Sequence, residues 1–273
     1  MRITKRLCLF ALLSLSVATA AFGQRFLFGD ESGSEPALKN IPYDGRFTFA
    51  RIRYTGISQM SYYYRNIPAW AHGYVPDPRR GSGRAEDNLM KIMSEVTYLN
   101  PHIDGSVVVA LDDPLLFKYP VAYMTEPGWW GMNDKEAAGL RAYLKKGGFL
   151  IIDDFRHDGD FRMGGGWANM EGNLRKAIPE SQLIPLEASM RVFDSFFTIP
   201  SFDVIPQDYD RDRPEFFGLF EDNDPNKRLM VVVNYSTDVS NFWEFAATGL
   251  RPIEDSNQAY KLGVDYIIYG MTH

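Results

Sequence analysis

The densest run of ionisable side chains in the sequence is Asp153-Asp154-Phe155-Arg156-His157-Asp158-Gly159-Asp160. Carboxylates crowded in this way either share a metal ion or raise one another's pKa into the range for acid–base work. On that basis Asp153, Asp154 and His157 are candidate catalytic groups. Asp153, Asp158 and Asp160 are candidate ligands for a divalent metal such as calcium or magnesium. A structural role fits the same residues, with Asp154 capping backbone N–H groups and Asp158 and Asp160 facing water. Zinc is disfavoured, because no His-x-x-x-His or Glu-x-x-His spacing occurs.

Other segments carry weaker signals. Arg79-Arg80-Gly81-Ser82-Gly83-Arg84 precedes a helical pattern, and three guanidiniums near free N–H groups could hold a phosphate or carboxylate. It lacks the Gly-Lys-Ser/Thr ending of a P-loop, and a solvated basic turn is the simpler reading. Asp208-x-Asp210-x-Asp212 resembles the start of a calcium loop, but Arg213 and Leu219 stand where Gly and Glu are required. The aromatic loop Gly56–Gly83, with Trp70 and His72, and the Trp129-Trp130 pair offer flat faces for a sugar or peptide, or ordinary core material. No Gly-x-Ser-x-Gly elbow supports serine hydrolase chemistry.

These residues need a scaffold, and the apolar patterns supply one. Phe47–Tyr54 alternates like a half-buried strand, although Arg51 and Arg53 share a face with Phe47 and Phe49. Ser106–Leu111 and Pro120–Thr125 are continuously apolar, as suits strands buried on both faces of a parallel sheet. Arg84–Leu99 has helical spacing with Glu86 and Asp87 in the first turn. Asn133 and Glu136 form a capping-box pattern, Ala137, Leu140 and Leu144 make a stripe, and Gly147 can close the helix. Phe149–Ile152 then reads as a buried strand ending at Asp153-Asp154, which completes a βαβ unit. Trp167–Ile178 is a weaker helix, Asp203–Asn226 an acidic irregular stretch, Leu229–Val233 a strand and Ser256–Tyr269 a helix.

The expected fold is α/β, a single domain with a mainly parallel sheet flanked by helices. In such sheets ligands bind beyond the carboxyl ends of the strands. That rule gathers Trp70, His72, Glu126, Trp129, Trp130, Asp153, Asp154, His157 and Asp238 into one expected pocket, with Arg79, Arg80 and Arg84 as further candidate ligand-binding residues.

The 273 residues are 45% apolar and 23% charged, which excludes a disordered or collagen-like chain. Met1–Arg6 carries three basic residues, Leu7–Ala20 is an apolar run short for a bilayer, and Ala21-Phe22-Gly23 offers a cleavage site. Residues 1–23 are therefore expected to be a signal peptide, 24–45 an extended leader and 46–273 the folded domain. Cys8, the one cysteine, lies too early in the apolar run for a lipobox. Cleavage would remove it, exclude thiolate chemistry, and shift the net charge from −6 to −9. An acidic chain of this kind is not expected to bind nucleic acid. No second run of about eighteen apolar residues suggests a membrane anchor. The expected location is periplasmic or extracellular.

Leu111–Pro120, Leu140–Asp154 and Ala259–Tyr269 resemble the DUF4159 family, from about Phe47 to the C-terminus, with Gly147-Gly148-Phe149-Leu150-Ile151-Ile152-Asp153-Asp154 the most specific part. The resemblance implies a flavodoxin-like fold related to class I glutamine amidotransferases, without an established activity. Amidotransferases of that fold place a cysteine at a sharp strand-to-helix turn, with a His and a Glu, and a mature chain without cysteine departs from this. Two functions follow. One is a non-catalytic module binding a small molecule, sugar or protein in a degenerate amidotransferase-like cleft. The other is a hydrolase or lyase that works through the Asp153–Asp160 carboxylates, with or without a divalent metal.

Overall fold

The structure is a computed structural model that describes residues 36–57, 62–63, 67–76, 80–81, 83–155, 166–207 and 213–273. The expected signal peptide, Arg79, His157, Asp158, Asp160 and the acidic loop 208–212 lie outside the described residues.

Four short strands open the fold: β1 (Ala50–Arg53), β2 (Thr55–Gly56), β3 (Tyr62–Tyr63) and β4 (Ile67–Pro68). Helix α1 (Ala85–Val96), β5 (Val107–Ala110), β6 (Val121–Thr125) and β7 (Trp130–Gly131) follow. Next come α2 (Asp134–Lys145), β8 (Phe149–Asp153), α3 (Gly166–Ala177) and β9 (Ile184–Pro185). The chain closes with β10 (Glu215–Phe220), β11 (Leu229–Tyr235), α4 (Val239–Glu244) and α5 (Ile253–Thr272).

Seven strands form one sheet in the order β5-β1-β6-β8-β11-β10-β9. The first five are parallel. β10 runs antiparallel to β11, and β9 antiparallel to β10. The expected α/β class is what is found. Numbered by appearance, the parallel strands lie in the order second, first, third, fourth, fifth. This is the flavodoxin-like order, whose crevice opens between β1 and β6, where the direction of winding reverses.

Every residue of β6 and β8 is buried, because both sheet faces are covered. Their side chains alternate between two apolar layers. Val121, Tyr123, Phe149 and Ile151 pack towards Phe242, Trp243, Leu262 and Tyr266 of α4 and α5. Ala122, Met124, Leu150 and Ile152 pack towards Leu140, Leu144, Met170 and Leu174 of α2 and α3. Helix α2 must lie close to the β5 end, since a Cβ on Gly139 would meet the Leu111 carbonyl oxygen at 2.0 Å.

The capping box of α2 forms as read. Asn133 accepts from the Lys135 and Glu136 N–H groups, and Glu136 accepts from Asn133 N–H at 2.8 Å. Gly147 ends the helix region at φ 107°. Asn133→Ala is expected to lower stability by about 1 kcal/mol in urea titration. An unchanged midpoint would show that water replaces the cap.

Two differences from the sequence reading have physical causes. The acidic stretch Asp203–Asn226 contains β10, whose Phe216-Phe217-Gly218-Leu219-Phe220 core is masked by polar flanks and becomes a strand by pairing with β11. Arg51 is fully buried on its phenylalanine-bearing face, neutralised by Glu86, whereas Arg53 is exposed. At the β5 edge the Asn40 side chain accepts from Val108 N–H and donates to Val108 O, so that among the described residues an amide takes the place of a neighbouring strand there. Among the described residues no helix is long and apolar enough to cross a membrane.

Candidate functional site

Three neighbouring strands end in the same way. β6 is followed by Glu126 (φ 52°), β8 by Asp154 (φ 65°) and β11 by Ser236 (φ 55°). All three are buried non-glycine residues in the left-handed region, where each conformation costs about 1–3 kcal/mol and must be held by its surroundings. The holding contacts are visible. Glu126 N–H donates to Asp153 O at 3.2 Å, and Ser236 N–H to Phe155 O at 3.0 Å. The Tyr54 hydroxyl, one residue beyond β1, lies 2.7 Å from Glu126 O and 3.0 Å from Thr125 O, with one proton to donate. The β2–β7 ribbon, pairing Thr55 with Gly131, ties the chain after β1 to the chain after Glu126.

The turns after β6, β8 and β11 bring Glu126, Asp154 and Asp238 around His72, which follows the separate Ala69–Ala71 turn. His72 Nδ1 lies 2.5 Å from Asp154 Oδ2, which also accepts from Thr125 Oγ1 at 3.1 Å. Glu126 Oε1 and Asp238 Oδ2 each stand 3.9 Å from the same nitrogen. Asp238 also caps α4, its other oxygen accepting from Asn241 N–H and Ser240 Oγ at 2.9 Å. Burial opposes the imidazolium, but Asp154, Asp238 and Glu126 outweigh it and raise the His72 pKa well above 6.5. At neutral pH His72 and Asp154 therefore form a charge-assisted pair. Once His72 gives up its proton, His72, Glu126 and Asp154 can each present one ligand atom within 4.8 Å of the others, a donor set of one nitrogen and two oxygens.

Asp153 belongs to a different environment. Its Oδ2 accepts from the Tyr123 hydroxyl at 2.8 Å and Ser240 N–H at 3.1 Å, and its Oδ1 from Asn234 Nδ2 at 3.0 Å. Asn234 Oδ1 in turn accepts from the Tyr266 hydroxyl at 2.7 Å. Burial pushes the Asp153 carboxyl up to about 6, helped by the Asp154 charge and opposed by the Asn234, Tyr123 and Ser240 hydrogen bonds. Asp153 and Asp154 do lie at a strand's carboxyl end beside Glu126. Asp154 joins the His72 cluster, and Asp153 locks β8 to β6, β11 and α4.

Trp70 and Trp129 are buried with Trp130 in the apolar layer shared with α2 and α3. Arg84 stacks over Tyr74 at 4.4 Å, contacts Glu86 and Asp87 at 3.4 Å, and hydrogen-bonds Ser106. Arg80 is exposed, its guanidinium 5.9 Å from the Phe245 ring centroid. Sequence reading missed Thr125, Tyr54 and Tyr123. Their apolar neighbours make them look like strand filler, and only their polar atoms at the strand ends could have marked them.

The family described as Domain of unknown function (DUF4159) matches residues 72–271. The chain belongs to the DUF4159 family. The match begins at His72, so β1 with Arg51 and Tyr54 precedes it, and the resemblance from about Phe47 extends further upstream than the matched span. It includes His72, Glu126, Asp154 and Asp238 of the cluster. No curated protein matches the chain.

Proposed function

We propose that this DUF4159 domain is an exported, non-catalytic binding module whose ligand sits at the His72–Glu126–Asp154–Asp238 cluster. The observation that carries the reading is the convergence of Glu126, Asp154 and Asp238, on or just after the turns that end β6, β8 and β11, around His72, at the carboxyl ends of the strands where open α/β sheets take ligands. A sharp left-handed strand-to-helix turn, the setting in which amidotransferases hold their cysteine, carries Glu126. The chain expected after cleavage holds no cysteine, which supports binding in a degenerate cleft over thiol chemistry. The basic start and short apolar run of residues 1–23 support export. N-terminal sequencing from cell fractions should find a chain starting near Gln24, and an intact Met1 on membrane-bound protein would count against export.

The binding test is a thermal-shift screen with monosaccharides, amino acids, polyamines and short peptides. A true ligand raises Tm with concentration, by about 2.7 kcal/mol of stabilisation at a hundredfold excess over Kd. The shift should disappear in Glu126→Gln and Asp154→Asn proteins that remain folded. A shift that survives both substitutions would place the binding surface elsewhere.

A second reading is a divalent-metal hydrolase or lyase, for which His72, Glu126 and Asp154 could supply ligand atoms within 4.8 Å of one another. Mixed nitrogen and oxygen donors suit manganese, iron or zinc better than calcium. Elemental analysis before and after chelation, followed by calorimetric titration with manganese, zinc, magnesium and calcium, separates the two readings. Stoichiometric metal lost on Asp154→Asn would favour the enzyme.

A further inference from the structure

We infer that the buried Arg51–Glu86 ion pair is the positioning device that sets where His72 stands. This inference rests on His72 belonging to the site, and it concerns residues that do not themselves reach the cluster.

His72 follows the short 3₁₀ turn Ala69–Ala71 and is not part of the main sheet. Its carbonyl oxygen accepts from Arg51 Nη1 at 2.7 Å, and the Trp70 carbonyl accepts from the same nitrogen at 3.3 Å. Two carbonyls of one turn thus converge on one guanidinium nitrogen. The rest of the fork is fixed from behind. Arg51 Nε and Nη2 donate to Glu86 Oε1 and Oε2 at 3.3 and 2.9 Å, and both side chains are completely buried. Glu86 is itself held by the Ser106 hydroxyl at 3.3 Å and by Arg84. The guanidinium also lies 5.2 Å from the Tyr123 ring centroid, on the strand beside β1.

The next residue shows how closely the turn is seated. Gly73 has φ +71°, and a Cβ there would meet Ala85 Cβ at 3.2 Å and Arg51 Nη2 at 3.7 Å. Ala85 N–H donates to Gly73 O at 2.8 Å, joining the turn to the start of α1. Strand β1, helix α1 and the His72 turn therefore meet at one planar group.

Burying an ion pair in an apolar layer is weak evidence for stability, since well-packed apolar residues of similar volume often serve as well. What a guanidinium adds is direction. Its rigid fork can grip a carboxylate on one edge and two carbonyls on the other, which a lysine ammonium cannot. Sites of this kind need their groups held to within about 0.5 Å by such support.

The test uses the full chain, labelled with nitrogen-15 at its four histidines. The His72 ring resonances are assigned by their loss in His72→Gln. Two variants are compared with wild type: Arg51→Lys, which keeps the charge, and Arg51→Met with Glu86→Leu, which replaces the pair by apolar groups. Both should melt cooperatively while the His72 Nδ1 shift moves towards that of exposed His273, reporting loss of the Asp154 contact. An unmoved His72 shift in either folded variant overturns the inference. If both variants unfold, the pair is a folding element and the positioning role falls as well. The readout is taken without ligand, so a failure of the proposed binding function leaves this result standing.

Discussion

Asp153→Ala is expected to lower folding stability by about 3–5 kcal/mol in urea titration, more than any other single substitution at the strand ends. The substitution leaves the Tyr123 hydroxyl, the Asn234 amide and Ser240 N–H without their acceptor, all in buried surroundings. Each orphaned buried donor costs about 1–3 kcal/mol, and the three act on elements from different parts of the chain, β6, β11 and α4. Asn234 also passes the loss to Tyr266, whose hydroxyl it holds. Asp153→Asn should recover only part of the stability. It keeps one acceptor oxygen but turns an amide nitrogen towards either the Asn234 donor or Ser240 N–H. A loss below about 1 kcal/mol for Asp153→Ala would mean that water enters and replaces the carboxylate.

The second large effect is a pH dependence carried by His72. Its pKa is raised in the folded protein, because Asp154, Asp238 and Glu126 together outweigh the burial that works against the imidazolium. The native state then keeps a proton that the unfolded chain releases near pH 6.5, so stability falls as pH rises. The contribution is fully present below the unfolded pKa and disappears as pH passes the folded one. Asp153 acts with the same sign in a lower window. Its carboxyl, raised from 3.8 to about 6, lowers stability as pH climbs between those values. Comparison of wild type with His72→Gln cancels that contribution. The difference should be about 1.5–3 kcal/mol below pH 6.5, the range for a hydrogen bond to a charged group, and should shrink at alkaline pH. Asp154→Asn should show the same profile, and the double variant little further loss, because one pair is being removed twice. Parallel curves for wild type and His72→Gln at all pH values would show that the imidazole is neutral in the folded state.

The regular elements were legible because their causes are local. Val107-Val108-Val109 and Phe149-Leu150-Ile151-Ile152 are short, apolar on both faces and rich in β-branched or aromatic residues, which suits a covered strand, and Asn133 with Glu136 places a helix start within one turn. The same locality placed Asp153 and Asp154 at a strand's carboxyl end, with Glu126 at the end of its neighbour. β10 escaped because its five-residue apolar core sits between acidic flanks, and its strand form depends on a partner that follows it in sequence. Arg51 breaks the alternating pattern of its strand, and the partner that accounts for it, Glu86, is 35 residues away.

The His72 cluster lies further from what local pattern can reach. By itself the sequence determined the α/β layers, the parallel strands and the set of carboxylates available at their ends. The tertiary structure decided which of them work together. His72 and Asp154 are 82 residues apart, and their 2.5 Å contact exists because a guanidinium on β1 draws the His72 turn inward. Two adjacent aspartates were divided between separate networks: Asp153, the last residue of β8, lies on the face of Tyr123 and α4, and Asp154 meets His72 where the backbone turns left-handed. Periodicity reports which face a side chain takes, and it loses that power at the residue where the strand ends. There, direction is set by the few long-range hydrogen bonds that hold a strained turn in place.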